Sequence, residues 1–421
     1  MKLFWLAATA IAAAMPAAAQ DTIHVGNLIA DARDGGTGPA TIIVDQGRIV
    51  TVAAGHSRPA SGRVIDLSDK TVMPGLIDLH VHLSGDPSGE FWRSVTTPFE
   101  HNAILGVKNA RTTLAAGFTT VRDVGSRGQH AVHALRDATA EWIVPGPRIV
   151  SAGPSMAIVG GHGDVSGFLP EVNELLDRGY TCTGSVECAE KVRLASQNGA
   201  DVIKFTATGG VLSQQGRGLE AHFTDAEMES IVATAKTLGL RVAAHAHGAR
   251  GIEAASRAGV TTIEHGTYLD RQAARAMKAN GTVLVPTLTA FRGIEEGLAK
   301  GMYTPVVVPK VQATVALIGN QVRMAKEEGV TIAFGTDAGV FDHGRNAEEF
   351  GMLVDAGMTP TEALVSATIT AADVLGLGDT IGRIAPGMSA DLIAFDGDPY
   401  ADVTVLEEVD WVMVRGKALD D

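Results

Sequence analysis

Residues 199–210 read GADVIKFTATGG. Apolar and β-branched residues running into paired glycines describe a short strand that ends in a turn. Lys204 stands in the middle of it. A buried ammonium is costly without a partner, so the strand raises the question of what Lys204 meets.

Stretches of the same kind recur on both sides: GLIDLHVHL (75–83), FTTVRDVG (118–125), PRIVSAG (147–153), RVAAHAHG (241–248), TTIEHG (261–266), TVLVPTL (282–288) and TIAFGTDAG (331–339). Most are followed by a helical pattern with a glycine stop, such as TDAEMESIVATAKTLG (224–239) and ARGIEAASRAG (249–259). Eight strand–helix units predict an α/β fold of the (β/α)8 TIM-like barrel type. A doubly wound sheet gives no reason for polar residues to gather at so many strand ends, whereas a barrel builds its active site there. Two long glycine-rich connections, 151–183 and 209–223, are candidate lids.

The flanks have a different rhythm. TIHVGNLIADARDG, ATIIVDQGRIVTVAA and RVIDLSDKTVMPG alternate with period two, as do GRIAPGMSADLIAFDGDP and VDWVMVRGKAL near the other end. They predict a small β-sandwich domain built from both chain ends, residues 20–73 and 382–421, around a barrel of residues 74–381. Residues 1–19 combine Lys2, an apolar run from Leu3 to Met15, and Ala17–Ala19. This is the pattern of a cleavable signal peptide, too short to span a bilayer. A periplasmic or secreted location is expected, with no membrane insertion after signal removal.

The chain has 421 residues, 45% of them hydrophobic, and a net charge of −14. That balance argues against nucleic acid as a partner. Cys182 and Cys188 are six apart in CTGSVEC. They form either a disulfide in an oxidising compartment or two thiols. Neither sits beside a histidine, which argues against thiol catalysis.

His80 and His82 fall at i and i+2 on the first barrel strand and therefore on one side of it. Such a pair can clamp a metal ion, but two histidines near a strand end also arise by chance. His245, His247, His265 and Asp337 occupy equivalent strand ends. So many polar groups sharing one barrel mouth with Lys204 need a common partner.

The ordered motifs DLHVHL, IKFTATGG, HAHG, IEHG and GTDAG resemble the amidohydrolase superfamily of metal-dependent hydrolases. TGGVLS, AAHAHG and IEHGTYLD resemble the branch of Xaa-Pro dipeptidases (prolidases), related carboxypeptidases and ochratoxin-hydrolysing amidohydrolases, a branch also called imidazolonepropionase-like. The resemblance implies two divalent metal ions, expected to be Zn²⁺, bridged by a carboxylated Lys204. It places His80, His82 and Asp337 on the more buried metal and His245 and His265 on the more exposed one. Asp337 would also serve as general base for a metal-bridging hydroxide.

The activity it implies is hydrolysis of an amide or peptide bond beside a free C-terminal carboxylate, in a dipeptide or N-acyl amino acid. Xaa-Pro dipeptides and ochratoxin A are examples. An imidazolonepropionase-like cyclic-amide or lactone hydrolase is the alternative, although relatives of the former type lack the strand-four lysine. An exported zinc-binding protein without turnover is the non-enzymatic one. Homo-oligomers are expected by the same analogy.

His162, His247, Arg217, Tyr268 and His343 lie on the catalytic-face loops and are the candidate substrate-binding residues. Phe223 falls where relatives with dipeptide specificity carry a tyrosine.

Overall fold

The structure is a computed structural model and describes residues 20–58, 62–88, 91–126, 128, 130–177 and 179–419. The expected signal peptide lies outside the described residues. The first four strands are β1 (Asp21–Leu28), β2 (Ala40–Asp45), β3 (Arg48–Ala54) and β4 (Arg63–Pro74). Seven parallel-paired strands follow: β5 (Leu76–Val81), β6 (Phe118–Asp123), β7 (Arg148–Ser151), β8 (Val202–Thr206), β9 (Arg241–Ala246), β10 (Thr262–His265) and β11 (Val283–Val285). The chain ends in β12 (Leu392–Phe395), β13 (Val409–Val414) and β14 (Lys417–Ala418).

Both chain ends share one seven-stranded sheet in the order β14-β13-β12-β4-β1-β2-β3. β1 runs parallel to β4 and the other pairs are antiparallel. Its alternating apolar residues, among them Ile23, Val25, Ile42, Val72, Leu392 and Met413, bury one common core. The sheet curls so that the β2–β3 hairpin meets the segment before β12: Ile49 N–H donates to Met388 O and Ala390 N–H to Gly47 O, both at 2.9 Å.

The parallel strands form two sheets, β5-β6-β7 and β11-β10-β9-β8. Backbone bonds join them on both sides. Met156 N–H donates to Lys204 O at 2.8 Å and Thr206 N–H to Met156 O at 3.0 Å, coupling the segment after β7 to β8. The segment 331–338 fills the other gap: Ala333 N–H donates to Leu284 O, and Leu79 N–H to Phe334 O. All eight sequence-predicted strand positions therefore take part in one circuit of backbone pairing.

Helices between the strands start and stop where their termini can be satisfied. Thr224 and Glu227 close a capping box on the helix Asp225–Thr237. Gly259 ends the helix Ala249–Ala258 in the left-handed conformation. The helices bury their apolar faces against the strands in one large core. Cys182 and Cys188 form a disulfide, which ties the long connection after β7 to the helix Ser185–Gln197.

Candidate metal centre and catalytic cavity

The C-terminal strand ends bring His80, His82, Lys204, His245, His247, His265 and Asp337 onto the lining of one cavity of about 450 Å³. Regular strand alternation accounts for only part of this convergence. Glu264 is the register partner of His245 and so shares its face; His265, the next residue, would turn outward in a regular strand. His265 instead has φ 72°, which breaks the alternation, and Asp337 has φ 64°. Left-handed backbone at non-glycine residues is strained, and such strain gathers at functional sites.

The hydrogen bonds behind the imidazoles set where their lone pairs point. His80 donates from Nδ1 to Glu264 Oε2 at 2.8 Å. Against the cost of burial, the Arg122 guanidinium and His80 hold Glu264 down at about 2, so it is an ionised acceptor. His82 Nδ1 donates to Gly125 O at 2.8 Å. His265 Nδ1 lies 2.7 Å from Thr287 Oγ1, whose own proton goes to Pro286 O, so this ring also donates from Nδ1. His245 is reversed, because its Nε2 donates to Gly209 O at 3.1 Å. The lone pairs left over are Nε2 of His80, His82 and His265, and Nδ1 of His245.

Burial pushes the His80 pKa down to about 4, and burial with neighbouring imidazoles puts His245 and His265 well below their ordinary value. Asp337 acts oppositely on His82, raising its pKa against the effect of burial. Asp337 Oδ1 is buried and has no hydrogen-bond partner among the described residues, yet His82 Nε2 is 3.2 Å away and His80 Nε2 3.5 Å away. A carboxylate oxygen facing the lone pair of neutral His80 is an arrangement that a cation resolves. His80, His265 and Asp337 offer donor atoms within 4.8 Å of one another, as do His245, His247 and His265. The donor set therefore fits divalent metal.

Lys204 is 4% exposed and its ammonium makes no hydrogen bond or ion pair with a described residue. Burial lowers its pKa to about 8, although Glu264 and Asp337 oppose the shift. At neutral pH a fraction of this side chain is thus an uncharged amine, the nucleophilic form.

The candidate substrate-binding residues separate. His162 and His247 line the cavity. The His162 ring lies 4.2 Å from His245, and His247 Nδ1 is 2.7 Å from Thr267 Oγ1. Arg217, Tyr268 and His343 are not on the lining of this cavity. Both ring nitrogens of His343 are engaged behind the site, Nδ1 with Thr113 Oγ1 at 2.9 Å and Nε2 with His82 O at 3.2 Å. Arg217 is exposed, and Tyr268 is half-buried, its backbone N–H donating to His247 O. Phe223 is not on the lining either; it packs edge-on against Phe205 in the core at 5.5 Å.

Sequence reasoning missed the supports. Arg122 is a fully buried guanidinium bonding Leu79 O, Thr262 Oγ1 and Glu264 Oε1. Asp78 accepts from His80 N, Thr336 N, Thr336 Oγ1 and Asn346 Nδ2, linking β5 to the turn that carries Asp337. Glu349 accepts from Leu288 N, Thr289 N and Thr289 Oγ1, which steadies the turn holding Thr287. The available signal was a charged residue inside an apolar strand in each of FTTVRDVG, GLIDLHVHL and TTIEHG.

The chain belongs to the amidohydrolase family, whose sequence profile matches residues 71–419. It is 33% identical over 362 residues to the ochratoxinase of Aspergillus niger, covering 80% of this chain and 72% of that one. Among solved structures it is similar to a Xaa-Pro dipeptidase with methionine bound in the active site, at 39% identity and a TM-score of 0.88 over 95% of this chain and 99% of that one. A prolidase complexed with N-methylphosphonate-L-proline gives 31% identity and a TM-score of 0.86 over the same shares. Family and neighbours support a metal-dependent hydrolase of carbon–nitrogen bonds that acts on a small molecule.

Proposed function

We propose that the protein is a binuclear metal hydrolase that cleaves an amide or peptide bond beside a free C-terminal carboxylate, in a dipeptide or N-acyl amino acid. The observation that carries this reading is the convergence of four imidazole lone pairs, the orphaned Asp337 Oδ1 and Lys204, whose ammonium has no hydrogen bond to a described residue, on one cavity floor. His80, His82 and Asp337 would hold one metal, and His245 and His265 the other. Lys204, whose neutral amine can add CO₂ and lose a proton, would bridge them as a carbamate, turning a buried cation into an anion. Imidazole with carboxylate suits Zn²⁺.

Two such ions, when bound, supply Lewis-acid polarisation of the carbonyl and lower the pKa of water. The chain supplies the rest. Asp337 takes the proton of the attacking water and returns it to the leaving nitrogen. Glu264 and Thr287 hold the His80 and His265 rings in register. His162 and His247 contact the substrate from the cavity wall. The ochratoxinase, Xaa-Pro dipeptidase and prolidase neighbours support the choice of scissile bond.

The same reading takes the circuit of eight strand positions as a (β/α)8 barrel of residues 74–381 beside a β-sandwich from residues 20–73 and 382–421. It takes the protein as exported, which the Cys182–Cys188 disulfide supports, and as a homo-oligomer. No helix among the described residues is long and apolar enough to cross a membrane.

The test is incubation of the zinc-loaded protein with Xaa-Pro and other dipeptides, N-acyl amino acids including ochratoxin A, lactones and imidazolonepropionate. Mass spectrometry reads the products. Release of a C-terminal amino acid supports the proposal. Turnover of a lactone or imidazolonepropionate alone overturns the substrate assignment, and bound zinc without any hydrolysis favours a metal-binding protein.

A further inference from the structure

The loop after β8 carries two supports of the site and packs Val211 against Phe291, Ile294, Val307 and Val311. Gly209, Gly210, Gly216 and Gly218 leave its backbone free to adopt many conformations. Even so, Gly209 O must accept from His245 Nε2 at 3.1 Å, and Ser213 Oγ must meet His162 Nδ1 at 2.7 Å. Gly210 passes directly beneath the His162 ring, where a Cβ would come within 2.3 Å of Nδ1.

Lys310 closes the arrangement from the other side. It sits on the helix Val308–Val315, well apart from the loop in sequence. Its Nζ donates to Gly210 O at 3.1 Å, Ser213 O at 2.6 Å and Gln215 O at 3.1 Å. Three carbonyl oxygens turned towards one point repel each other unless a cation lies between them. An ammonium has three N–H donors for three acceptors. Arginine, a planar fork, does not match a three-sided cup. Thr304 Oγ1, donating to Gln214 Oε1 at 2.7 Å, ties the same loop to the segment that leads into the helix.

We propose that Lys310 is a positioning residue, whose ammonium locks the 209–215 loop so that Gly209 O orients His245 and Ser213 orients His162. The inference rests on the proposed hydrolase reading, in which His245 binds metal and His162 meets substrate. Lys310 itself touches neither. Its effect runs through the loop, so a small cation placed in the cup restores what truncation of the side chain removes.

The experiment compares the zinc-loaded parent with Lys310→Ala and Ser213→Ala, the latter removing only the hydroxyl beside His162. For Lys310→Ala, kcat/KM is expected to fall about 10–100-fold, the usual cost of losing an outer support. Ethylammonium chloride is expected to recover part of that loss in Lys310→Ala and to do nothing in Ser213→Ala, where KM rises more than kcat falls. Wild-type kinetics in Lys310→Ala, or a loss that ethylammonium does not relieve in a variant with unchanged melting temperature, overturns the proposal. Limited proteolysis separates this from failure of the hydrolase reading. If the parent turns over no substrate, faster cleavage within 209–219 in Lys310→Ala, slowed by ethylammonium, still supports the lock, and an unchanged cleavage rate refutes it.

Discussion

His80 Nε2 and Asp337 Oδ1 face each other 3.5 Å apart, and His80, with its Nδ1 proton committed to Glu264, presents a lone pair across that gap. Asp337 reaches the position because its backbone is left-handed at φ 64° and its N–H donates to His80 O at 2.7 Å. The two donors are thus held together by the main chain. A cation between them relieves an electrostatic conflict that the fold itself creates.

Asp337→Asn keeps the shape and removes the proposed base. Its kcat is expected to fall about 10²–10⁴-fold, the usual worth of a general base. Steady-state rates on the best panel substrate check this. A loss below tenfold reassigns the base to another group.

Lys204→Ala should lose metal and activity together, because it removes the amine proposed to bridge the two metals. Elemental analysis of the purified variant is the measurement. Full zinc occupancy at normal rates sinks the bridging role.

Glu264→Ala strands the buried Arg122 guanidinium and frees the His80 ring. Breaking a buried ion pair from one side costs about 3–5 kcal/mol, and loss of an outer metal support about 10–100-fold in metal affinity. Urea unfolding of the metal-free variant reads the first effect and competition with a chelator the second. A midpoint within error of the parent's would show that Arg122 finds another partner.

Acid sensitivity has a source away from the site. The hydrogen bond and charge of Arg33, with the charge of Arg383, hold Asp31 down at about 2 from 3.8, although burial opposes them. A carboxyl lowered in the folded state contributes stability that is complete above about pH 4 and is lost as pH falls through 2. Asp31→Asn is expected to flatten the unfolding midpoint between pH 4 and 2 and to lower it at pH 6. An unchanged slope places the acid sensitivity elsewhere.

The fold was legible because burial on both strand faces writes short β-branched runs, and capping residues such as Thr224 and Gly259 punctuate the helices between them. The ligand candidates were legible because histidines and a lysine are out of place in such runs. The sequence places His343 and Arg217 on loops but does not say which way their side chains are taken up. Both nitrogens of His343 are spent on Thr113 and on the backbone of His82.

Local chemistry therefore determined the strands, the helices and the residue types at the strand ends, since propensity and burial act over a few positions. Only the tertiary structure decided that Glu264 and His265 both turn inward, because the left-handed backbone at His265 is held by neighbours far along the chain. It also decided that Arg122, Asp78 and Lys310 stand behind the site. Each bonds across a separation of at least 43 residues or to a segment on another strand, and no short window of sequence contains both partners.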